Sequence, residues 1–427
     1  MIIYLFVSLI VFIVLGVPIV FSIGLSSLSG IILFGSGLTL NFIISKLFAG
    51  MDTFVLLAIP FYIMAGELMN RGGLTKSLVE FSSTLVGHLR GGLAHVNILA
   101  SMFFSGISGS CIADSSAIGS LLIPAMTEQG YDKDFSVAVT ASSSVIGPII
   151  PPSIQMVLYS SVTNVSIGAM FMGGILPGIL IGFSFMFLAY LICLKRGYKQ
   201  KDKRASLNEI FKALKHSIWA LFLPVVIIGG IISGIFTATE AGVVAVVYSF
   251  FVTFIILKSL TLKDLPKIII DSSVVTTIVM LVMGIGNVFG QLLLRHLFHE
   301  KIFVYFNSLM LTPAMIVIIM SLFLLFMGCF IDGAVLIILF AGSFSKIALG
   351  LGFDEIHFGV IIVIVSLIGA LTPPVGDLLF INCAIAKTSL AEASRIIWPF
   401  VLVLYLICIL CLYFPGIITY IPNLLMD

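Results

Sequence analysis

Gly106-Ile-Ser-Gly-Ser-Cys-Ile-Ala-Asp114 and Gly147-Pro-Ile-Ile-Pro-Pro-Ser153 interrupt segments that are otherwise apolar enough to lie in a membrane. Hydrocarbon tolerates no lipid-exposed, unpaired backbone, so such interruptions survive only where they are buried in protein or line a cavity. The same pair recurs as Gly328-Cys-Phe-Ile-Asp332 and Gly369-Ala-Leu-Thr-Pro-Pro-Val375. These four breaks decide the fold.

Composition sets the class around them. Of 427 residues, 60% are hydrophobic and 9% charged, with a mean hydropathy of +1.26. Globular chains carry about 25% charged residues, so a soluble fold is excluded and the chain reads as an all-α polytopic membrane protein. The net charge of +2 gives no argument for nucleic acid as a partner. Six cysteines show neither metal nor disulfide spacing and read as small apolar packing residues. The first charge is Lys46, and without a basic leader region residues 2–34 read as one retained membrane helix.

A spanning helix needs about 20 residues. The arms 92–105 and 112–126 are shorter and flank a glycine-serine tip, which describes a re-entrant hairpin over 92–126. The arms within 312–349 have the same form. Segments 134–163 and 357–386 are long enough to span, but each carries a Pro-Pro pair near its middle and reads as a broken helix. The expected organisation is therefore N-terminal scaffold helices and a surface arm (1–91), a first transport repeat (92–194), a cytoplasmic loop (195–216), further scaffold helices (217–294), and a second transport repeat with the last helix (295–427). Within the first part, 71–91 is expected to lie along the cytoplasmic surface.

Lys195 to Lys215 holds eight of the 21 lysines and arginines. Threading outward from it places Arg71, Lys76, Arg90, Lys133, Lys258, Lys263, Lys267, Lys387 and Arg395 on the same, cytoplasmic side. Lys46, Lys301 and Lys346 fall outside, with Arg295 near the membrane, so the positive-inside rule is obeyed.

Shifted by 222 positions, the chain partly matches itself: Gly106 on Gly328, Gly130 on Gly352, Asp132 on Asp354, Gly147 on Gly369, and Pro151 and Pro152 on Pro373 and Pro374. One ungapped offset on helix-breaking residues marks an internal repeat. The threading enters the first hairpin from the cytoplasm and the second from outside, so the repeats are inverted, as in secondary transporters with a site between the halves.

At a broken helix, free carbonyls suit a hard cation and the following helix N-terminus suits an anion. Two sodium sites are expected, one per repeat: Gly106, Ser108, Ser110, Gly147, Ile150 and Ser153; and Gly328, Asp332, Gly369, Thr372 and Val375. The plainer alternative is that the prolines kink helices and the hydroxyls bond back to their own turns. Asp114 follows the first tip and reads as a cap or brace of its hairpin. Arg295 closes a long apolar helix, and its planar fork is the candidate grip on a carboxylate; an arginine snorkelling to the surface is the competing reading. His296, His299 and Glu300 lack a third metal ligand pattern. No nucleophile elbow, His-Glu-x-x-His or phosphate loop occurs, which argues against an intramembrane enzyme.

Gly109-Ser-Cys-Ile-Ala-Asp-Ser-Ser-Ala-Ile-Gly119, Ile123-Pro-Ala-Met126, Gly130-Tyr-Asp132, Gly147–Ser153, Phe236-Thr-Ala-Thr-Glu-Ala-Gly242, His357-Phe-Gly-Val360 and Leu371-Thr-Pro-Pro-Val-Gly376 resemble the large membrane subunit of TRAP (tripartite ATP-independent periplasmic) transporters across essentially the whole chain. Ala238 departs from the proline usual there. The resemblance implies the inverted-repeat fold of the ion-transporter superfamily, with a hairpin-bearing body that moves as an elevator. It also implies sodium-driven import of an organic acid into the bacterial cytoplasm across the inner membrane. The implied partners are a small four-helix membrane subunit and a periplasmic substrate-binding protein. It further implies roles in substrate or sodium handling for Ser108, Ser110, Arg295 and Asp332. Sialic acid is the first expected substrate, followed by C4-dicarboxylates and sugar acids; an autonomous sodium/carboxylate symporter is the alternative.

Overall fold

The computed structural model describes residues 1–34, 39–198, 204–308, 311–373 and 376–426. The first departure from expectation comes at once. Residues 2–34 form two helices, α1 (Ile2–Val14) and α2 (Ile19–Phe34), separated by Gly16 at φ +79° and Pro18. They fold back on each other: Ser8 and Ser26 hydroxyls lie 2.7 Å apart, and a Cβ on Gly30 would stand 2.9 Å from Leu5 Cδ2. The single expected helix is thus a hairpin, because a left-handed glycine followed by a proline cannot continue a helix.

Next come α3 (Leu40–Met51), a 3₁₀ turn over Phe54–Leu57, α4 (Ala58–Arg71) and α5 (Leu74–Val86). The first hairpin is α6 (Gly92–Ser108) and α7 (Cys111–Glu128); the first broken helix is α8 (Lys133–Ser144) and α9 (Ile154–Thr163). Long helices α10 (Ile167–Arg196), α11 (Leu207–Ile232), α12 (Ala238–Phe250, continued by a π-helical turn) and α13 (Leu265–Arg295) lead through α14 (Phe298–Ser308) to the second set. That set is hairpin α15 (Pro313–Gly328) and α16 (Gly333–Gly350), broken helix α17 (Glu355–Leu371) and α18 (Asp377–Ala386), then α19 (Leu390–Tyr413) and α20 (Gly416–Met426). Among the described residues, seven helical segments are long and apolar enough to cross a membrane. The chain is a multi-pass membrane protein.

The 222-position offset reappears in the helix ends. α7 begins at 111 and ends at 128, α16 at 333 and 350; α8 begins at 133 and α17 at 355. The N-caps correspond too: Ser110 with Asp332, and Asp132 with Asp354. Gly130 and Gly352, at φ +85° and +86°, make the same left-handed turn after each hairpin.

α13, about 46 Å long at 1.5 Å per residue, connects the two faces that charge counting separated. Asp271 near its start pairs with Arg71, which also binds Glu67, while Asn287 near its end donates 2.7 Å to the carbonyl of Lys46. A second cluster ties the base of the first repeat together: Arg196 holds Asp132 at 2.7 Å and Asp134 at 3.0 Å, and Arg90 reaches the carbonyl of Tyr198.

Each hairpin tip is pressed against the break of its own repeat. Gly109, at φ +60°, accepts a hydrogen bond from Ile154 N at 3.2 Å, and a Cβ there would lie 2.6 Å from the carbonyl oxygen of Pro152. In the second repeat the backbones of Gly328 and Gly369 touch, and a Cβ on Gly328 would lie 2.7 Å from Gly369 Cα. Neither backbone can retreat, so Gly328→Ala is expected to lower the melting temperature in detergent by the equivalent of about 1–3 kcal/mol of overpacking. Gly229→Ala, with nothing within 4 Å of the added methyl, should leave it unchanged or raise it, since alanine favours helix.

Candidate functional site

At the first tip, Ser108 is buried and donates its hydroxyl to Asp114 Oδ1 at 3.2 Å, while accepting from Ser110 N at 3.4 Å. Asp114 is completely buried. Its Oδ2 has no partner among the described residues and faces Gly147: a Cβ there would stand 3.1 Å from it. No lysine, arginine or histidine pairs with Asp114 among the described residues. The carbonyls of Gly147 and Ile150 accept no hydrogen bond among those residues. A carboxylate oxygen, a serine hydroxyl and free carbonyls form an all-oxygen set of the kind a hard cation takes.

Other members of the expected first site are engaged differently. Ser110 caps α7 by accepting from Ala113 N, and Ser153 caps α9 by accepting from Met156 N while donating to the carbonyl of Pro148. Both hydroxyls bond back to their own turns, as the plainer alternative held. Gly106 is turned toward α11, where a Cβ would strike the ring of Pro224 at 2.4 Å; its role here is close packing. Ile150 sends its side chain against Gly178 of α10.

In the second repeat, Asp332 caps α16 by accepting from Ala334 N at 2.8 Å and faces Asp377 at the start of α18. Thr372 is buried and donates to Ile368 O at 2.7 Å, and its N–H donates to Gly369 O at 2.9 Å. Gly328, Asp332, Gly369 and Thr372 are therefore brought to one break; Val375 lies outside the described residues. Cys111 sits where both sets meet, within electrostatic reach of Asp332, Asp377 and Asp114.

The repeats also clasp each other. Gln155 of α9 accepts from Ser366 Oγ at 3.3 Å, and a Cβ on Gly333 would stand 3.0 Å from its Nε2. Asn382 of α18 donates to Ser115 of α7 at 3.0 Å. Gln155 and Asp377 are related by the 222-position offset, as are Cys111 and Gly333, so the approach of Gln155 to Gly333 and the electrostatic reach of Asp377 to Cys111 fall at corresponding positions.

Three readings change. Asp114 braces Ser108, as expected, but does not cap, and its second oxygen points into the break. Asp377, Gln155 and Asn382 were missed, although each is a polar residue within an apolar segment, the signal that marked Asp332. Arg295 does not join the tips: it is exposed at the end of α13, beside His296 and the chain's amino terminus, with no ion-pair partner among the described residues. Two further acids are structural: Glu67 pairs with Arg71, and Glu240 closes a capping box with Thr237.

Comparison with known proteins agrees with this architecture. A family profile described as "Tripartite ATP-independent periplasmic transporter, DctM component" matches residues 6–417. The chain is 38% identical over 410 residues to a sialic acid TRAP transporter large permease protein of Vibrio cholerae, covering 96% of this chain and 95% of that one. It is 36% identical over 402 residues to a C4-dicarboxylate TRAP transporter large permease protein of Pseudomonas aeruginosa, covering 94% of each. In fold it is similar to the crystal structure of the YdaH transporter of Alcanivorax borkumensis, with a TM-score of 0.61 at 13% identity, over 87% of this chain and 86% of that one.

An uncompensated buried charge destabilises the protein that holds it. In sodium-free buffer Asp114→Asn, which keeps the shape and removes the ionisable group, is therefore expected to melt higher than the parent by a margin that grows as the pH is raised. A lower melting point would show that the carboxylate is already compensated.

Proposed function

The chain belongs to the DctM component family of tripartite ATP-independent periplasmic transporters, and on that premise we propose that it is the large membrane subunit of a sodium-coupled importer of a carboxylate-bearing solute. The observation that carries sodium coupling is Asp114: a fully buried carboxylate facing an opened backbone, with one oxygen unpartnered and no cationic side chain paired to it among the described residues. A sodium ion would supply the missing positive charge. Ser108, Asp114, Gly147 and Ile150 would hold it in the first repeat. Asp332, Gly369, Thr372 and Asp377 would form the second site, where a cation between the two facing carboxylates would relieve their repulsion.

The two hairpins are re-entrant and, with the broken helices they close on, form one body that moves as an elevator against α3, α4, α12 and α13. Support comes from the contacts within that body: each tip rests on its own break, and Gln155 and Asn382 tie one repeat to the other. Coupling follows if sodium neutralises the acids and so permits the body to cross a low-dielectric barrier. Ser108 and Ser110, at the first tip, are the candidate substrate contacts. Sialic acid is the first substrate to test and C4-dicarboxylates the second, by analogy with the two relatives described above. The working assembly adds a small membrane subunit and a periplasmic binding protein, in the bacterial inner membrane.

Uptake of labelled sialic acid and succinate into proteoliposomes holding this chain and its small partner tests the proposal. Import requiring an inward sodium gradient and the binding protein is expected, with Asp114→Asn and Asp332→Asn each reducing it at least about tenfold, the loss of one charge-assisted contact. Sodium-driven uptake that ignores the binding protein would instead identify an autonomous symporter.

A further inference from the structure

Away from the breaks, a cavity of about 430 Å³ opens between α3 and α13 on one side and α9 and α16 on the other. Its volume falls in the range of small-molecule sites, about 300–1,000 Å³. Each wall is held at a close approach. Gly50 leaves no room beside Asn287, where a Cβ would stand 2.6 Å from the asparagine Cβ, and Gly342 admits Val162 at 3.1 Å. The lining begins at Ile338, about 9 Å along α16 from Asp332 at 1.5 Å per residue, and passes Lys346, about 21 Å from it. By the charge threading, Lys346 lies at the outer side.

The lining is rich in donors and carries one charge. Lys346 is exposed and makes no ion pair among the described residues. Asn164, Asn287, Gln291 and Ser343 line the same cavity, and the buried hydroxyl of Thr53 has no partner among the described residues. Among the described residues no aspartate or glutamate lines the cavity. A lone ammonium surrounded by amides and hydroxyls suits a ligand with one carboxylate and several hydroxyl or carbonyl groups.

We propose that this cavity is an outer waiting site for the organic anion, in which Lys346 binds the carboxylate and Asn287 and Gln291 bind polar groups of the same solute before it reaches the hairpin tips. The inference rests on the importer reading and adds to it a second, distinct anion site at the boundary between the two bodies. Because one wall is scaffold and the other is the body carrying the tips, the site would be remade as the bodies slide.

The test reads occupancy without transport. The full chain with its small partner, in detergent, is treated with N-hydroxysuccinimidyl acetate, and acetylation of Lys346 and Lys133 is followed by peptide mass spectrometry. Millimolar sialic acid or succinate is expected to slow reaction at Lys346 about fivefold while leaving Lys133, on the opposite face by the threading, unchanged. Neutral N-acetylmannosamine should protect neither lysine. Absent protection, equal protection of both lysines, or protection only by phosphatidylglycerol would overturn the proposal, the last in favour of a lipid headgroup. In proteoliposomes Lys346→Gln should raise KM for uptake about tenfold, keep Vmax within about twofold, and be rescued by Lys346→Arg. A fall in Vmax at unchanged KM would contradict it. Protected Lys346 in a protein that imports nothing would refute the importer reading while leaving the site in place.

Discussion

Asp114 holds a carboxylate in the protein interior with no cationic side chain paired to it among the described residues, and both repeats are packed around the consequences. Asp114 has no exposed surface, satisfies one oxygen through Ser108 and leaves the other against Gly147. Burying such a charge costs several kcal/mol even after relaxation. The surrounding chain does not meet that cost with lysine or arginine. It offers open backbone instead, and open backbone inside a membrane protein can be kept only by enclosing it. The tips, the breaks and their close glycine contacts are that enclosure.

The enclosure is built twice by one design and then joined. Left-handed turns at Gly130 and Gly352 and N-caps at Ser110 and Asp332 fix the same hairpin geometry in both repeats. Within that symmetry the acids are placed differently. The position equivalent to Asp114 is Leu336, and the position equivalent to Asp332 is Ser110. One repeat thus holds its carboxylate a turn inside the helix and the other at its cap, where it meets Asp377. The two breaks thus differ in the charge they carry and in how deep it lies, and Cys111 is within electrostatic reach of both.

How much of this could be read in the sequence follows from how local each cause is. Glycine and proline act on their own backbone, so the four breaks, both hairpins and the 222-position repeat were visible as residues. Capping by Ser110 and Ser153 is equally local, yet it competed with a metal-ligand reading that used the same hydroxyls, and only geometry separated the two. The inward oxygen of Asp114, the Asp332–Asp377 pair and the Gln155 and Asn382 clasps depend on partners tens to hundreds of positions away, which spacing does not reveal. Residues 2–34 matched a span in length, and that match hid the Gly16–Pro18 break. Arg295 ends an apolar helix, and its exposure there follows from the packing of α13, which the residues around it in sequence do not reveal.

Sodium binding at Asp114 is best read from the melting temperature of the purified protein against sodium concentration. A ligand that binds the folded state stabilises it by RT ln(1 + [L]/Kd). The account predicts a melting point that rises with sodium chloride, is flat in potassium or choline chloride at the same ionic strength, and loses much of its sodium response in Asp114→Asn. Equal rises in sodium and potassium, or an undiminished sodium response in the variant, would contradict it.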